Sequence, residues 1–437
     1  MTSQDLSCNR TVQDLRVDID GSGIVVVPSQ RKSRLAQVHY FLDLDRRATT
    51  RIEVDLEPSS SLVRQTDDAG LPFGFPDLRT WQQFCIGPHC VTPLARSGPR
   101  CRVAQRAFPR FIDMDIEAGR ATLTDPCVDD DFLTAMSYWT AESEEQWFGS
   151  WSIADTVRRL HDPQAPVATR LWRTLARSGA PEQIWSGDFG DFLHQVATSP
   201  DGRFTVLTQM GMRAATLPPP GHPGSHLQQW QEFQRQGVLP TDVVVLDRAR
   251  GCEQRIRPPH AVPAHIEFDP LCAHRCYLAC HNVALVGPAN VLMGPASILA
   301  YELSDDKPKL VGCYSSDDFH RASSLAAFQH RGEVLLAATG FPHRLHLIDG
   351  RTMTPRASIP LFGQEDAPTE QQPVFCRFDR RSPFGVVPSH DGEQLYVAAS
   401  GLLYVLETAS DRVLGPVDFA REPQDETITG HLSLLTL

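Results

Sequence analysis

The chain has 437 residues, 41% hydrophobic and 22% charged, with a formal net charge of −12. No apolar run approaches the roughly 20 residues that a membrane helix needs, and the acidic balance argues against nucleic acid as a partner, because phosphate-backbone binders concentrate positive charge. The 11 cysteines are an odd count at irregular spacing, and the start "MTSQDLSCNRTVQDL" has neither the basic nor the apolar stretch of a signal peptide; free thiols and a cytoplasmic location are expected.

Along the chain one two-hairpin unit recurs. It opens with "DIDGSGIVVVPS" from Asp18 and "HYFLDLDRRATTRIEVDL" from His39, giving a first unit near 16–57. The stretch from Pro58 to Arg110 reads as irregular and holds "FCIGPHC"; with "FIDMDIEAGRATLTDP" from Phe111 it makes a second unit over 60–126. A third, over 130–175, rests on "WSIADTVRRLHDPQAPVATRLW" from Trp151. The fourth, 188–258, pairs "HQVATSPDGRFTVLTQMG" from His194 with "VVVLDRARGCEQRIRPP" from Val243, and the proline-rich insertion Leu217 to Gly237 interrupts it. The fifth, 262–314, pairs "HIEFDPLCAHRCYLACHN" from His265 with "ILAYELSDDKPKLVGCYS" from Ile298. The sixth, 318–362, pairs "FHRASSLAAFQHRGEVLLAATG" from Phe319 with "LHLIDGRTMTPRASIPL" from Leu345. The seventh, 378–420, pairs "FGVVPSHDGEQLYVAASG" from Phe384 with "LLYVLETASDRVLGPVDF" from Leu402.

Asp-Gly between two β runs is a strong hairpin signal. Two hairpins make a four-stranded blade, and seven such blades around an axis make a β-propeller, which protects its sheet edges by closing the circle. The expected fold is therefore all-β: a seven-bladed β-propeller, one domain over 1–437, with insertions near 58–110 and 217–237. The β-rich remainder "TITGHLSLLTL" from Thr427 is placed to close the ring against the first blade. The alternative is that "VDIDGSGIVVV" supplies that blade's inner strand.

"CAHRCYLACHN", from Cys272, resembles a zinc box but falls on the second strand of the fifth unit, with Cys272 and His274 in the turn. Alternate side chains of a strand share a face, so Cys276, Leu278 and Cys280 point one way and Tyr277, Ala279 and His281 the other. Cys276 and Cys280 would stand about 13 Å apart at about 3.3 Å per residue, too far to share one ion. These thiols read as blade packing. "FCIGPHC" offers Cys85, His89 and Cys90 beside a Gly-Pro turn and is read in the same way, as a loop without a site.

Three histidines carry a sharper signal. His194, His265 and His320 each open the first strand of successive units. First strands line a propeller's channel, so residues at one level converge on the axis. Imidazole suits iron, copper, zinc and nickel. His431 becomes a fourth ligand if the C-terminal segment forms the inner strand of the first blade. Ligand imidazoles need acceptors for their other ring nitrogens, and Glu267 is expected to orient one, with Asp188, Asp191, Asp317 and Asp318 as further candidates. The set His194, His265, His320 and His431 resembles the arrangement in carotenoid cleavage oxygenases. That resemblance implies an axial Fe(II) held by four histidines, open positions for dioxygen, and oxidation of a small, largely apolar molecule; copper, or no metal, is the alternative.

No "GxSxG", phosphate-binding glycine loop or "HExxH" is present. Two other readings stand: a metal-free lyase or cyclase using the same histidines as acid and base, and a protein-interaction scaffold.

Overall fold

A computed structural model describes residues 2–15, 21–56, 78–94, 99–125 and 241–286, and most of 128–209 and 289–436. The insertion Leu217 to Gly237 lies outside the described residues, as does 362–374.

Seven antiparallel sheets form a ring, a seven-bladed β-propeller as expected. Blades four to seven follow the predicted hairpins. The fourth is Leu193–Thr198, Phe204–Gln209, Val243–Asp247 and Cys252–Ile256. The fifth is Pro263–Asp269, Cys272–Cys280, Ser297–Glu302 and Lys309–Ser315. The sixth is His320–His330, Glu333–Phe341, Arg344–Asp349 and Pro355–Pro360, and the seventh Pro383–Pro388, Gln394–Ala399, Leu402–Glu407 and Arg412–Val417. In these four blades the innermost strand is the first of its blade in the chain. Pairing across Ser199–Gly202 and Ser389–Gly392 shows the hairpin turns in place: Ser199 and Ser389 each accept the amide of the glycine three residues on.

The first blade is closed by the far end of the chain. Glu426–Ile428 and Ser433–Leu435 both pair with Ile24–Arg31, which continues to Ala36–Asp43 and Ala48–Asp55. Ile24–Arg31 is thus the second strand of its blade, not the innermost.

Two regions differ from expectation. Much of 58–110 is regular: Leu78–Ile86 is a helix, and Pro88–Pro93 and Arg100–Gln105 are the two inner strands of the second blade, completed by Phe111–Asp115 and Arg120–Asp125. Proline at both ends of Pro88–Pro93 hid the strand, but neither proline is a donor the ladder must have. The third blade runs beyond residue 175, because its outer strand is Glu182–Asp188. Its inner edge is split between Phe132–Leu133 and Tyr138–Thr140, both paired with Glu145–Trp151.

Side chains alternate between the two faces of each sheet, and the faces of neighbouring blades share apolar layers. Cys276, Leu278 and Cys280 join Phe204, Val206 and Val245 of the fourth blade. Tyr277 and Ala279 join Leu336, Ala338 and Ile348 of the sixth. The predicted two faces of "RCYLAC" are therefore real, and the thiols pack as hydrophobes. Burial pushes the Cys276 thiol up to about 12. Cys272 and His274 begin the strand instead of sitting in the turn. A further three-stranded sheet, Val283–Val286, Ala289–Leu292 and Phe375–Arg377, joins the fifth blade's insertion to the segment before the seventh blade.

Candidate metal centre

The inner strands carry a common irregularity near their first residues. Pairing shifts between Pro88 and Cys90, between Leu193 and Gln195, and between Pro263 and His265. A bulge of this kind re-aims a side chain and is frequent beside functional sites. His89 and His194 are the bulged residues themselves, and His265 directly follows one. His431 lies between the two C-terminal strand segments.

Hydrogen bonds between blades fix these histidines relative to one another. The His431 amide donates to the His89 carbonyl at 2.6 Å, and Ser433 Oγ donates to Val91 O at 2.7 Å. Gly430 permits this approach: a Cβ there would stand 2.8 Å from Pro88 O and 2.9 Å from His89 O. The Met136 amide donates to His194 O at 3.0 Å, joining the third and fourth blades. The Gln195 carboxamide spans to the fifth, accepting from Ile266 N and donating to Ile266 O, each at 2.9 Å.

The result is a closed circuit of four imidazoles. Ring centres are 4.9 Å apart for His89–His194, 4.9 Å for His194–His265, 4.8 Å for His265–His431 and 4.7 Å for His431–His89. Ligand nitrogens of His89, His194 and His431 all lie within 4.8 Å of one another. A fifth ring, His281, packs on His265 at 5.2 Å. All five are buried, with His194 only 3% exposed.

Three of the four predicted ligands therefore meet: His194, His265 and His431. His320 does not join them. It is half-buried, and its Nδ1 pairs with the Gly294 carbonyl at 3.2 Å. The reason is register. Pairing in the sixth blade slips between His320 and Ser324, so Ser324, four residues on, occupies the axial level; its hydroxyl meets His431 Nδ1 at 3.3 Å and accepts the Val386 amide at 3.3 Å. Glu267 does not orient a histidine by any hydrogen bond among the described residues; its side-chain partner is Gln195. Burial pushes its carboxyl up to about 8. Asp188 accepts the Val167 amide, Asp318 pairs with Arg344 and Ser358, and Asp191 lies outside the described residues.

Two members were missed, His89 and His281. His89 was legible in principle: it follows a Gly-Pro step and opens an inner strand, as His194 and His265 do. His281 sits one residue past the strand Cys272–Cys280, on the face that Tyr277 and Ala279 share.

Burial holds every one of these imidazoles neutral. His194 and His431 are lowered to about 3, and His89, His265 and His281 fall well below the ordinary value, with neighbouring rings adding to the effect. Two guanidiniums contribute: Arg106 acts on His89, His194 and His431, and Arg321 on His281. Arg106 is anchored by its Nη2 on the Thr429 carbonyl at 2.9 Å.

Three of the rings, His89, His194 and His431, are placed to hold one metal ion together. A ring nitrogen sits about 1.1 Å from its ring centre and binds a divalent transition metal at about 2.1 Å, so a ligand ring centre lies about 3.2 Å from the ion. Two ring centres at that radius can stand at most about 6.4 Å apart, and the neighbouring pairs, at 4.9, 4.9, 4.8 and 4.7 Å, are within that limit, with His265 adjoining His194 and His431. The Nδ1 atoms of His89 and His265 are buried and have no hydrogen-bond partner among the described residues. Neutral, unprotonated nitrogen is the form that binds metal.

No protein-family profile matches the chain, and no curated relative is detected. Several solved structures are similar to it. A functionally unknown protein from Desulfotomaculum acetoxidans DSM 771 aligns at 9% identity over 95% of this chain and 99% of its own, with a TM-score of 0.53. Kuenenia stuttgartiensis hydrazine synthase aligns at 11% identity over 74% and 77%, TM-score 0.46. The dihydro-heme d1 dehydrogenase NirN aligns at 11% over 96% and 77%, TM-score 0.48. At these identities the likeness concerns the fold alone.

Proposed function

We propose that the protein is a metal-dependent oxidoreductase, an oxygenase or oxidase of a small molecule, built on an axial iron or copper ion held by His89, His194, His265 and His431. The observation that supports this best is the closed circuit of four neutral imidazoles. Such an ion, when bound, supplies electron transfer and activation of dioxygen. The chain supplies the rest. Three inner strands and the C-terminal segment hold the ring nitrogens, the bulges aim the three strand histidines inward, and the closed ring of blades keeps water from the buried rings. An apolar substrate is what the resemblance to carotenoid cleavage oxygenases implies; the described groups that border the circuit, Arg106, Arg321 and Ser324, are polar.

The metal-free acid–base reading is less well supported. A general base works best with a pKa near the working pH, and His194 and His431 sit near 3. The test is anaerobic loading with Fe(II), followed by nitric oxide as a dioxygen surrogate. The expected outcome is the half-integer-spin paramagnetic resonance signal of an iron with an open position. A protein that takes up iron but gives no such signal has no room for dioxygen, and the oxygenase reading falls.

A further inference from the structure

His281 has no task in the scheme above. It is 4% exposed, yet neither ring nitrogen has a hydrogen-bond partner among the described residues. Native folds rarely leave a buried side chain with all of its polar atoms unpaired, and such exceptions point to a missing partner. Its place is specific. The ring leans on His265 at 5.2 Å with an interplanar angle of 36°, but makes none of the ring contacts that join the four-membered circuit. The backbone pins it there: the His281 amide donates to Val262 O at 3.0 Å and the Asn282 amide to Ala261 O at 2.9 Å. Val262 and Asn282 both take left-handed backbone, at φ 56° and 50°. Strain of this kind persists where the surroundings over-determine it, often beside a binding site.

The neighbouring sixth blade brings charge to the same place. Arg321 is 3% exposed, with its backbone at φ 40°. It stands three residues before Ser324, whose hydroxyl meets His431, and its charge is felt at both His281 and Arg106. A neutral imidazole N–H beside a guanidinium is a donor set for an anion's oxygen or nitrogen atoms.

We propose that His281 is a ligand-binding residue of the axial centre, donating a hydrogen bond to a small anion, a carboxylate or oxyanion class of substrate, held between it and the four-histidine ion. This rests on the metal reading above and adds the chemical class of what binds there. Arg321 supports the same site through its positive potential.

The test uses Cu(II)-loaded full-length protein titrated with azide, followed by visible absorption, with copper content measured on the same samples. The expected result is that His281→Ala keeps its copper while its azide Kd rises about tenfold, the loss of one hydrogen bond to a charged group. His281→Gln, which restores an N–H donor, recovers part of the affinity. Unchanged azide affinity in a copper-replete His281→Ala protein overturns the proposal and leaves the metal centre standing. Loss of copper from both variants, with the fold retained, overturns it in another way, by making His281 a metal ligand. Absence of copper from the wild type removes the metal reading and this inference together.

Discussion

At the scale of single residues, the decisive property is that buried imidazoles are kept unprotonated. The free-energy sign follows directly. Unfolded histidine takes up a proton near pH 6.5, whereas folded His194 and His431 resist until about pH 3. Between those limits the unfolded state binds more protons, so stability is full above pH 6.5 and is lost as pH falls. Each such histidine costs about 1.4 kcal/mol per pH unit, or about 2 kcal/mol at pH 5. The metal-free protein should therefore unfold at much lower denaturant at pH 5 than at pH 7.5, and a double variant His194→Phe/His431→Phe should show a weaker pH dependence. Equal pH slopes in the two proteins would show that these two imidazoles do not set the pH dependence. The histidines were partly legible in the sequence. His194 and His265 were singled out because repeat alignment fixes which residue opens a strand, and His431 because the C-terminal segment could supply the first blade's inner strand. His320 misled because the slip of register between His320 and Ser324 is a backbone event without a residue signature.

At the scale of elements, the inner strands and their bulges set the site, and the C-terminal segment completes it. Ring closure depends on a buried ionic latch. Glu426 accepts from Arg51 at 3.1 Å, stands 3.4 Å from Arg31 and accepts the Tyr40 hydroxyl. Glu53 lies between the same arginines; burial alone would raise its pKa, but Arg31, Arg51 and Arg34 outweigh it and hold the carboxyl at about 2. Removing one partner of a buried pair leaves the others uncompensated and costs about 3 kcal/mol. Glu426→Ala should lose roughly that in chemical denaturation, and limited proteolysis should then release the C-terminal segment. Gly430 is a subtler probe. Gly430→Val would force the Cβ against the Pro88 and His89 carbonyls, parting His431 from His89. The expected outcome is a folded protein by circular dichroism with metal affinity reduced at least tenfold; unchanged affinity would show that the spacing of these two ligands is not what binds the ion.

At the scale of the whole molecule, both chain ends fasten the ring. The C-terminus supplies an inner strand and a histidine, and the N-terminus covers two outer edges: Thr2–Leu6 pairs with Arg120–Asp125 of the second blade, and Cys8–Asp14 with Ala48–Asp55 of the first. The seven-fold repeat was legible because each hairpin writes its own turn. These N-terminal strands were not, since Cys8–Asp14 is a mostly exposed edge with no apolar alternation to read. Deleting residues 1–14 should bare two strand edges and promote aggregation, seen by light scattering, while metal content stays the same because no ligand is lost. Among the described residues no helix is long and apolar enough to cross a membrane.

The four-histidine centre proposed above has His89, and not His320, as its fourth member. Its most direct test is the transition-metal content of wild type, His89→Ala and His320→Ala by plasma mass spectrometry after metal-replete expression. The expected result is near-stoichiometric iron or copper in the wild type and in His320→Ala, and its loss in His89→Ala. A wild type without transition metal, or a His89→Ala protein that keeps its full complement, would contradict it.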